Sequence, residues 1–297
     1  LPHGHSKGRF KTRNRASHDT SSYRFLDVQE LILYYTSRKD GLKKMRIKYA
    51  VSLWNYYHYA DVPSLERIIG YIRRLGYGIE FWGSWKEEKD LYDEVGRKRL
   101  KGLVKGMDVS LHGVIGINTF ELHKKQIDAA KELGARVIVV HPDNLASGDR
   151  ANLDIELSRD IVGYANKNKI KIALENGGLS FLINAIEKVK GLGICLDVGH
   201  VYFTNDSMKD FLDALKERII HLHIQDILPK DEDSLPGTGK DHYTPGTGGI
   251  PYKDWKLIAK TLKEINFQGT AVFEIQPRNP LQTALLGANF MHRLMGR

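Results

Sequence analysis

The sequence predicts one (β/α)8 barrel, a closed eight-stranded parallel sheet with helices outside it, preceded by a disordered or weakly structured N-terminal extension. Three observations predict it. From Met45 onward, eight short runs rich in β-branched residues alternate with eight amphipathic stretches, over the roughly 250 residues that such a barrel needs. Prolines and glycines punctuate the amphipathic stretches at their starts and ends. Ionisable side chains recur at the C-terminal ends of the apolar runs, the rim where this architecture keeps its chemistry. A doubly wound open sheet competes, but its usual five or six strands would leave two strand–helix pairs unused, and no Gly-rich phosphate loop follows any strand.

The first strand opens at Met45-Arg-Ile-Lys-Tyr-Ala-Val and is expected over 46–54. The first helix follows over 63–75, with Pro63 at its start, where a missing N–H costs nothing, and Gly76 just past its end. Strand two (77–82) leads to a helix over 88–105 closed by Gly106, and strand three (107–112) to a helix over 120–133 closed by Gly134. The next pairs are 136–141 with 152–167, 171–175 with 179–189, and 192–197 with 206–217. Strand seven (219–224) precedes a long loop and a helix over 252–265 behind Pro251; strand eight (269–274) precedes a helix over 280–295 opened by Pro280.

The 297 residues carry a net charge of +9, and its location matters. Residues 1–44 hold ten Lys/Arg against four acids, which leaves 35 basic and 32 acidic side chains for the rest. The body is close to balanced and shows no net-charge footprint of a duplex-binding surface. Pro2 to Ser22 mixes Gly, Ser, Asn, His and basic residues without hydrophobic period, and Leu26 to Tyr35 is expected as a short helix. Residues 1–44 therefore read as an extension, either a nucleic-acid arm or a tag or mis-start, and residues 45–297 as the catalytic domain. No apolar run approaches the ~18 residues of a membrane span, and the N-terminus shows no apolar signal segment. The single Cys195 excludes an internal disulfide framework and fits a reducing, cytoplasmic setting. A homo-oligomer is compatible with the sequence, which sets no oligomeric state.

Strand three ends in Ser110-Leu-His112, strand four in Val140-His141-Pro142 and strand five in Ala173-Leu-Glu175-Asn176. Strand six ends in Asp197-Val-Gly-His200, strand seven in His221-Leu-His223-Ile-Gln-Asp226 and strand eight in Phe273-Glu274; the loop after strand seven adds Asp241-His242. One such residue means little. Six consecutive strands delivering imidazoles and carboxylates to one mouth would be electrostatically costly without compensation. A divalent cation supplies it, since carboxylates and neutral imidazoles are its ligands. Zn or Mn suits these ligands best, with Co or Mg as further candidates. His221 lies one layer deeper than His223 and reads as packing or support.

These motifs, ordered along residues 46–290, resemble the xylose isomerase-like TIM-barrel superfamily, which includes sugar isomerases and epimerases and the endonuclease IV group of abasic-site nucleases. The resemblance to the epimerases implies one metal held by Glu175, Asp197, His223 and Glu274. The resemblance to the nucleases implies up to three zinc ions, with His112, His141, His200 and His242 as added ligands. Departures from the nuclease pattern are Asp197-Val-Gly-His200 for Asp-Thr-Cys-His and His223-Ile-Gln-Asp-Ile-Leu228 for His-Leu-Asn-Asp-Ser-Lys. Lys240 stands where that pattern has an acid two residues before the last His, so Asp241 or Asp226 would have to serve a third ion. Ile115-Gly116 replaces the Tyr-Leu that enters DNA.

Two activities compete for these ligands. The first is isomerisation or epimerisation of a small sugar or sugar phosphate, by proton transfer through an enediolate that the metal stabilises, with Glu175 and Glu274 as base and acid on opposite faces. His200 would bond a substrate oxygen, Trp54 and Trp82 would wall the sugar, and Glu80, in Gly78-Ile-Glu80-Phe-Trp, would contact the substrate or support the site from behind. The alternative is a hydrolase, a multi-zinc phosphodiesterase acting on abasic-site DNA, for which His112 and His141 argue. Arg278 is a lesser candidate for a phosphate contact.

Overall fold

The computed structural model describes residues 47–56, 63–83, 88–116, 118–147, 152–204, 206–229, 232–233, 239–276 and 280–296. The extension over 1–44, its short helix, and Arg278 lie outside them.

Eight strands alternate with helices. β1 (Lys48–Ser52), β2 (Gly78–Trp82), β3 (Val109–His112), β4 (Val137–Val140), β5 (Lys171–Glu175), β6 (Gly193–Asp197), β7 (Ile219–Ile224) and β8 (Thr270–Phe273) pair in parallel, each with the next. β8 returns to β1, with Val51 opposite Phe273, and closes the barrel. The helices are α1 (Leu65–Arg74), α2 (Glu88–Tyr92), α3 (Glu94–Leu103), α4 (Phe120–Leu133), α5 (Pro142–Leu145), α6 (Ile155–Lys167), α7 (Leu179–Lys188), α8 (Met208–Leu215), α9 (Tyr252–Glu264) and α10 (Pro280–Leu294). None of the described helices is long and apolar enough to cross a membrane.

Strand alternation sets two cores. Residues such as Ile79, Phe81, Leu111, Ile138, Leu174, Leu196 and Leu222 point outward and bury against Ile69, Ile72, Ile127, Ile161, Leu182, Phe211 and Ile258 of the helices. Inward-pointing residues form a smaller interior, in which Val139, Ala173 and Cys195 pack with Val137 and Ile220. Above that layer the interior becomes polar, and this is where the site begins.

Local chemistry explains where elements start. The side chains of Ser64, Asp93, Asp154 and Ser207 each accept a hydrogen bond from a backbone N–H in the first turn of α1, α3, α6 and α8. Ser64 therefore moves the start of α1 to Leu65, two residues past Pro63. Asp93 also divides the helix expected over 88–105: its backbone is extended (φ −94°, ψ 139°) and its carboxylate caps Gly96. Glycine is needed at 96 because a Cβ there would lie 2.5 Å from the Asp90 Cα. Three short turns follow strands with at most two residues between, the 3-10 turns Leu53–Tyr56 and His200–Phe203 and helix α5. Leu53 and Trp54, expected as the end of the first strand, belong instead to the turn that follows it, so β1 stops at Ser52; the few residues of the other two show no period.

Candidate metal centre

The site is assembled from strand ends. His112, Glu175 and Asp197 are the last residues of β3, β5 and β6; His223 is one residue from the end of β7; His141 and Glu274 directly follow β4 and β8. Parallel register sets Asp197 beside His223 and Trp82 beside His112. His200 rides on the turn after β6 and Asp241-His242 on the returning loop after β7.

The centre of the arrangement is the His223 imidazole, which has no exposed surface. Its Nδ1 makes no hydrogen bond, yet carboxylate oxygens of Glu274, Glu175 and Asp197 lie 3.4, 3.6 and 3.8 Å from it. Four ligand atoms held at about 2.1 Å around a tetrahedral cation stand about 3.4 Å apart. None of the three contacts is a hydrogen bond, and the spacing suits atoms that share one ion. The donor set and the orphaned nitrogen both fit a divalent cation.

Two further groups adjoin it. His141 Nε2 lies 3.1 Å from both His112 Nε2 and Glu175 Oε2, and His112 Nε2 lies 3.3 Å from the same oxygen. On the other side His200 Nε2 is 3.6 Å from Asp241 Oδ2, and His242 Nδ1 is 3.1 Å from Asp241 Oδ1. Asp241 joins this group although Lys240 holds the expected place, and His242 beside it has a left-handed backbone (φ 64°). His200 Nδ1, 2.9 Å from Glu175 Oε1, links the outer group to the centre.

Of the two acids expected as alternatives for a third ion, Asp241 stands in the outer group and Asp226 does not. Its two oxygens accept the backbone N–H groups of Ile227, Gly246, Gly248 and Ile250 and fold the loop behind the site.

Charge balance without a cation falls to protons. Burial alone would raise the Glu175 carboxyl, but His141, His223 and His112 hold it well below its ordinary value. Burial opposes charge on His200 and His223, yet the surrounding acids raise both well above the ordinary imidazole range. His242 is pushed up to about 9 against its own burial by Asp241 and Glu274. Asp197 is raised, by burial first and by the Glu175 charge.

Glu80 lies beneath the ligands, with no exposed surface, which leaves none for the substrate contact expected of it. Its Oε2 accepts from Ser110 Oγ (2.8 Å) and stands 3.0 Å from His221 Nε2, while its Oε1 is 3.1 Å from His223 Nε2. It supports His223 from behind, and His221 occupies the deeper layer with it. Trp54 and Trp82 wall one side, their rings 6.1 Å apart; Trp82 stacks on His112 at 4.0 Å and Trp54 lies 4.3 Å from His242. The Trp82 indole N–H donates to Glu274 Oε1 at 3.4 Å.

Four amides outside the expected ligand set brace the site. Asn176 grips the Asp197 backbone, donating to its carbonyl and accepting from its N–H, both at 2.7 Å. Gln225 bonds the Asp197 carboxylate. Asn144 accepts the His141 N–H at 2.8 Å and Asn55 brackets Glu274 by bonding Phe273 O and Ile275 N. Asn176 and Gln225 lie inside the strand-end motifs, next to or two residues from a candidate ligand, and that adjacency is the signal the sequence carries.

Comparison with known proteins places the chain. Residues 69–294 match the xylose isomerase-like TIM barrel family, and the chain belongs to it. It is 31% identical over 182 residues to the uncharacterized protein MJ1311 of Methanocaldococcus jannaschii, covering 54% of this chain and 57% of that protein. Over 111 residues it is 30% identical to an inosose dehydratase of Clostridium botulinum (33% of this chain, 36% of that one). Over 143 residues it is 27% identical to a D-psicose 3-epimerase of Enterocloster bolteae (44% and 42%). The chain thus spans from about a third to somewhat over half the length of the curated relatives it matches. Among solved structures, IOLI protein with a bound zinc atom shares the fold at 16% identity, with a TM-score of 0.65 over 84% of this chain and 98% of that one.

Proposed function

We propose that this member of the xylose isomerase-like TIM barrel family is a divalent-metal-dependent isomerase or epimerase of a small sugar or sugar phosphate. The observation that carries the reading is the unpartnered His223 Nδ1 facing oxygens of Glu175, Asp197 and Glu274. Relatives named as a ketose epimerase and an inosose dehydratase support it, because both reactions act at carbon beside a carbonyl.

Glu175, Asp197, His223 and Glu274 would hold the ion, with Zn or Mn the best suited. A bound divalent cation would polarise the substrate carbonyl and its neighbouring hydroxyl, which acidifies the adjacent C–H. The protein's own groups do the rest. Glu175 and Glu274 come from opposite sides of His223, so one carboxylate takes the proton from one face and the other returns it to the opposite face. Trp82, donating to Glu274 Oε1, fixes that carboxylate's orientation. The acids around His200 favour its charged form, which suits it to donate to a substrate oxygen. Trp54 and Trp82 exclude water on one side and present an apolar wall.

The test is solvent deuterium exchange into a panel of ketoses, their phosphates and cyclic polyol ketones, with metal-loaded protein. Incorporation next to the carbonyl, abolished by chelator, is expected. Absence of exchange across the panel, with cleavage of abasic-site DNA, would replace this reading by the second one.

That second reading, a multi-zinc phosphodiesterase, is favoured by one observation. The groups His112–His141–Glu175 and His200–Asp241–His242 flank the central ligands, and one-metal proton transfer does not require them. Alanine at His112 or His141 separates the two: a large loss of turnover points to the cluster, near-normal turnover to a single ion.

A further inference from the structure

Gln225 follows β7 and has no exposed surface. Both ends of its amide are engaged, and by different parts of the site. Nε2 donates to Asp197 Oδ2 at 2.7 Å, and Oε1 accepts the backbone N–H of His242 at 2.5 Å. The first partner is a central ligand; the second carries the outer group with His200 and Asp241. The amide cannot be turned over, because the flipped form would set a donor against the His242 N–H and an acceptor against a carboxylate.

His242 needs such a fixing point. Its φ of 64° is a region that side chains other than glycine rarely adopt. Two bonds hold it there: the N–H to Gln225, and the carbonyl, which accepts from Gln276 N at 2.7 Å. Asp226 and Tyr243, exchanging two backbone bonds at 2.8 and 3.0 Å, bring the loop back to Gln225.

The neighbouring glycine makes sense in the same terms. Gly199 has φ −73°, open to any residue, so it is not there for backbone freedom. A Cβ at 199 would lie 2.7 Å from Cδ and Oε1 of Gln225. Gly199 clears the space through which the amide reaches both partners. Positions 199 and 225, two of the places where the chain departs from the nuclease motifs, therefore touch.

We infer that Gln225 is a positioning residue that couples the two halves of the candidate metal centre, fixing Asp197 and the left-handed His242 with one amide in a space that Gly199 provides. The inference rests on the metal reading of the site. The Gln225–Gly199 pair sets how the outer group is presented, and takes no part in the chemistry itself.

The test uses the full chain stripped of metal, with Co(II) as the probe. Gln225→Met keeps length and volume and removes both bonds; Gly199→Ala leaves the amide intact and displaces it. Gln225→Asn, too short to span both partners, serves if Gln225→Met does not fold. Amide hydrogen exchange at His242 should accelerate by about tenfold or more in each variant. Co(II) affinity should fall by about 10- to 100-fold, with a changed visible absorption envelope. Unchanged exchange at His242 together with an unchanged cobalt titration in folded variants would overturn the coupling. Failure of the wild-type chain to take up cobalt would instead sink the metal reading, with the exchange at His242 still reporting whether Gln225 holds that backbone.

Discussion

At the scale of single residues, the candidate site centres on an imidazole with a buried carboxylate beneath it. Glu80 Oε1 stands 3.1 Å from His223 Nε2 as a charge neighbour beneath the ring, while Nδ1 faces Glu175, Asp197 and Glu274. Glu80→Gln should lower cation affinity by about 10- to 100-fold and, by leaving buried imidazoles without their charge partner, destabilise the fold by about 3–5 kcal/mol. Titration of stripped protein and denaturant unfolding read the two effects. Glu175→Gln or Glu274→Gln should cost about 10²- to 10⁴-fold in turnover, measured by deuterium exchange. The pH dependence follows from the acids around the imidazoles. Ligation needs neutral imidazole, and the acids raise His200 and His223 well above their ordinary range and His242 to about 9. Protons thus compete with the cation on the acid side, so affinity should rise with pH from about 6.5 towards the raised His242 value, and binding near neutrality should release protons. Calorimetric titration in buffers of different ionisation enthalpy measures that release; an affinity independent of pH would contradict it. The ionisable types at the strand ends could be read from the sequence. Their supporting amides could not, because a hydrogen bond such as Asn176 to the Asp197 backbone depends on two strand ends meeting in space.

At the scale of elements, the turns after strands matter as much as the strands. Asn55, in the turn after β1, donates to Phe273 O and accepts from Ile275 N, both at 2.8 Å, and so clamps the chain on either side of Glu274. Asn55→Ala should cost about 2–3 kcal/mol from these orphaned buried groups and reduce turnover by displacing Glu274; thermal unfolding and the exchange assay check it. β5, β7 and α4 coincide with the spans expected from period alone, because each is a run with one unbroken pattern. The expected helix over 88–105 fails at Asp93, where a capping carboxylate outcompetes helix continuation. The turn Leu53–Tyr56 is hidden in the apolar run expected as strand over 46–54, and helix α5 and the turn His200–Phe203 are too short for a period, yet the three place Trp54, His141 and His200. Asp226 illustrates the same limit: its acid is spent on four backbone N–H groups of a loop whose path the sequence does not disclose.

At the scale of the whole molecule, the closed barrel brings β3 through β8 to one mouth, and it explains why residues up to 162 positions apart, His112 and Glu274, join one ligand group. The barrel could be read from eight strand–helix alternations, whereas substrate shape lies in loops that period does not encode. We propose that residues 45–297 fold and bind metal without the extension: deletion of 1–44 should leave the melting temperature and metal content unchanged, and collapse of either would assign the extension a structural role. Chelation should lower the melting temperature of loaded protein, since an ion bound only by the native state stabilises it. The most direct test of the central claim is the number of divalent ions per chain, by elemental analysis of protein purified without chelators, beside Asp197→Ala. At least one Zn, Mn or Co per chain, lost in Asp197→Ala, is the expected result. A folded wild-type chain that carries no divalent ion and takes none up on dialysis would contradict it.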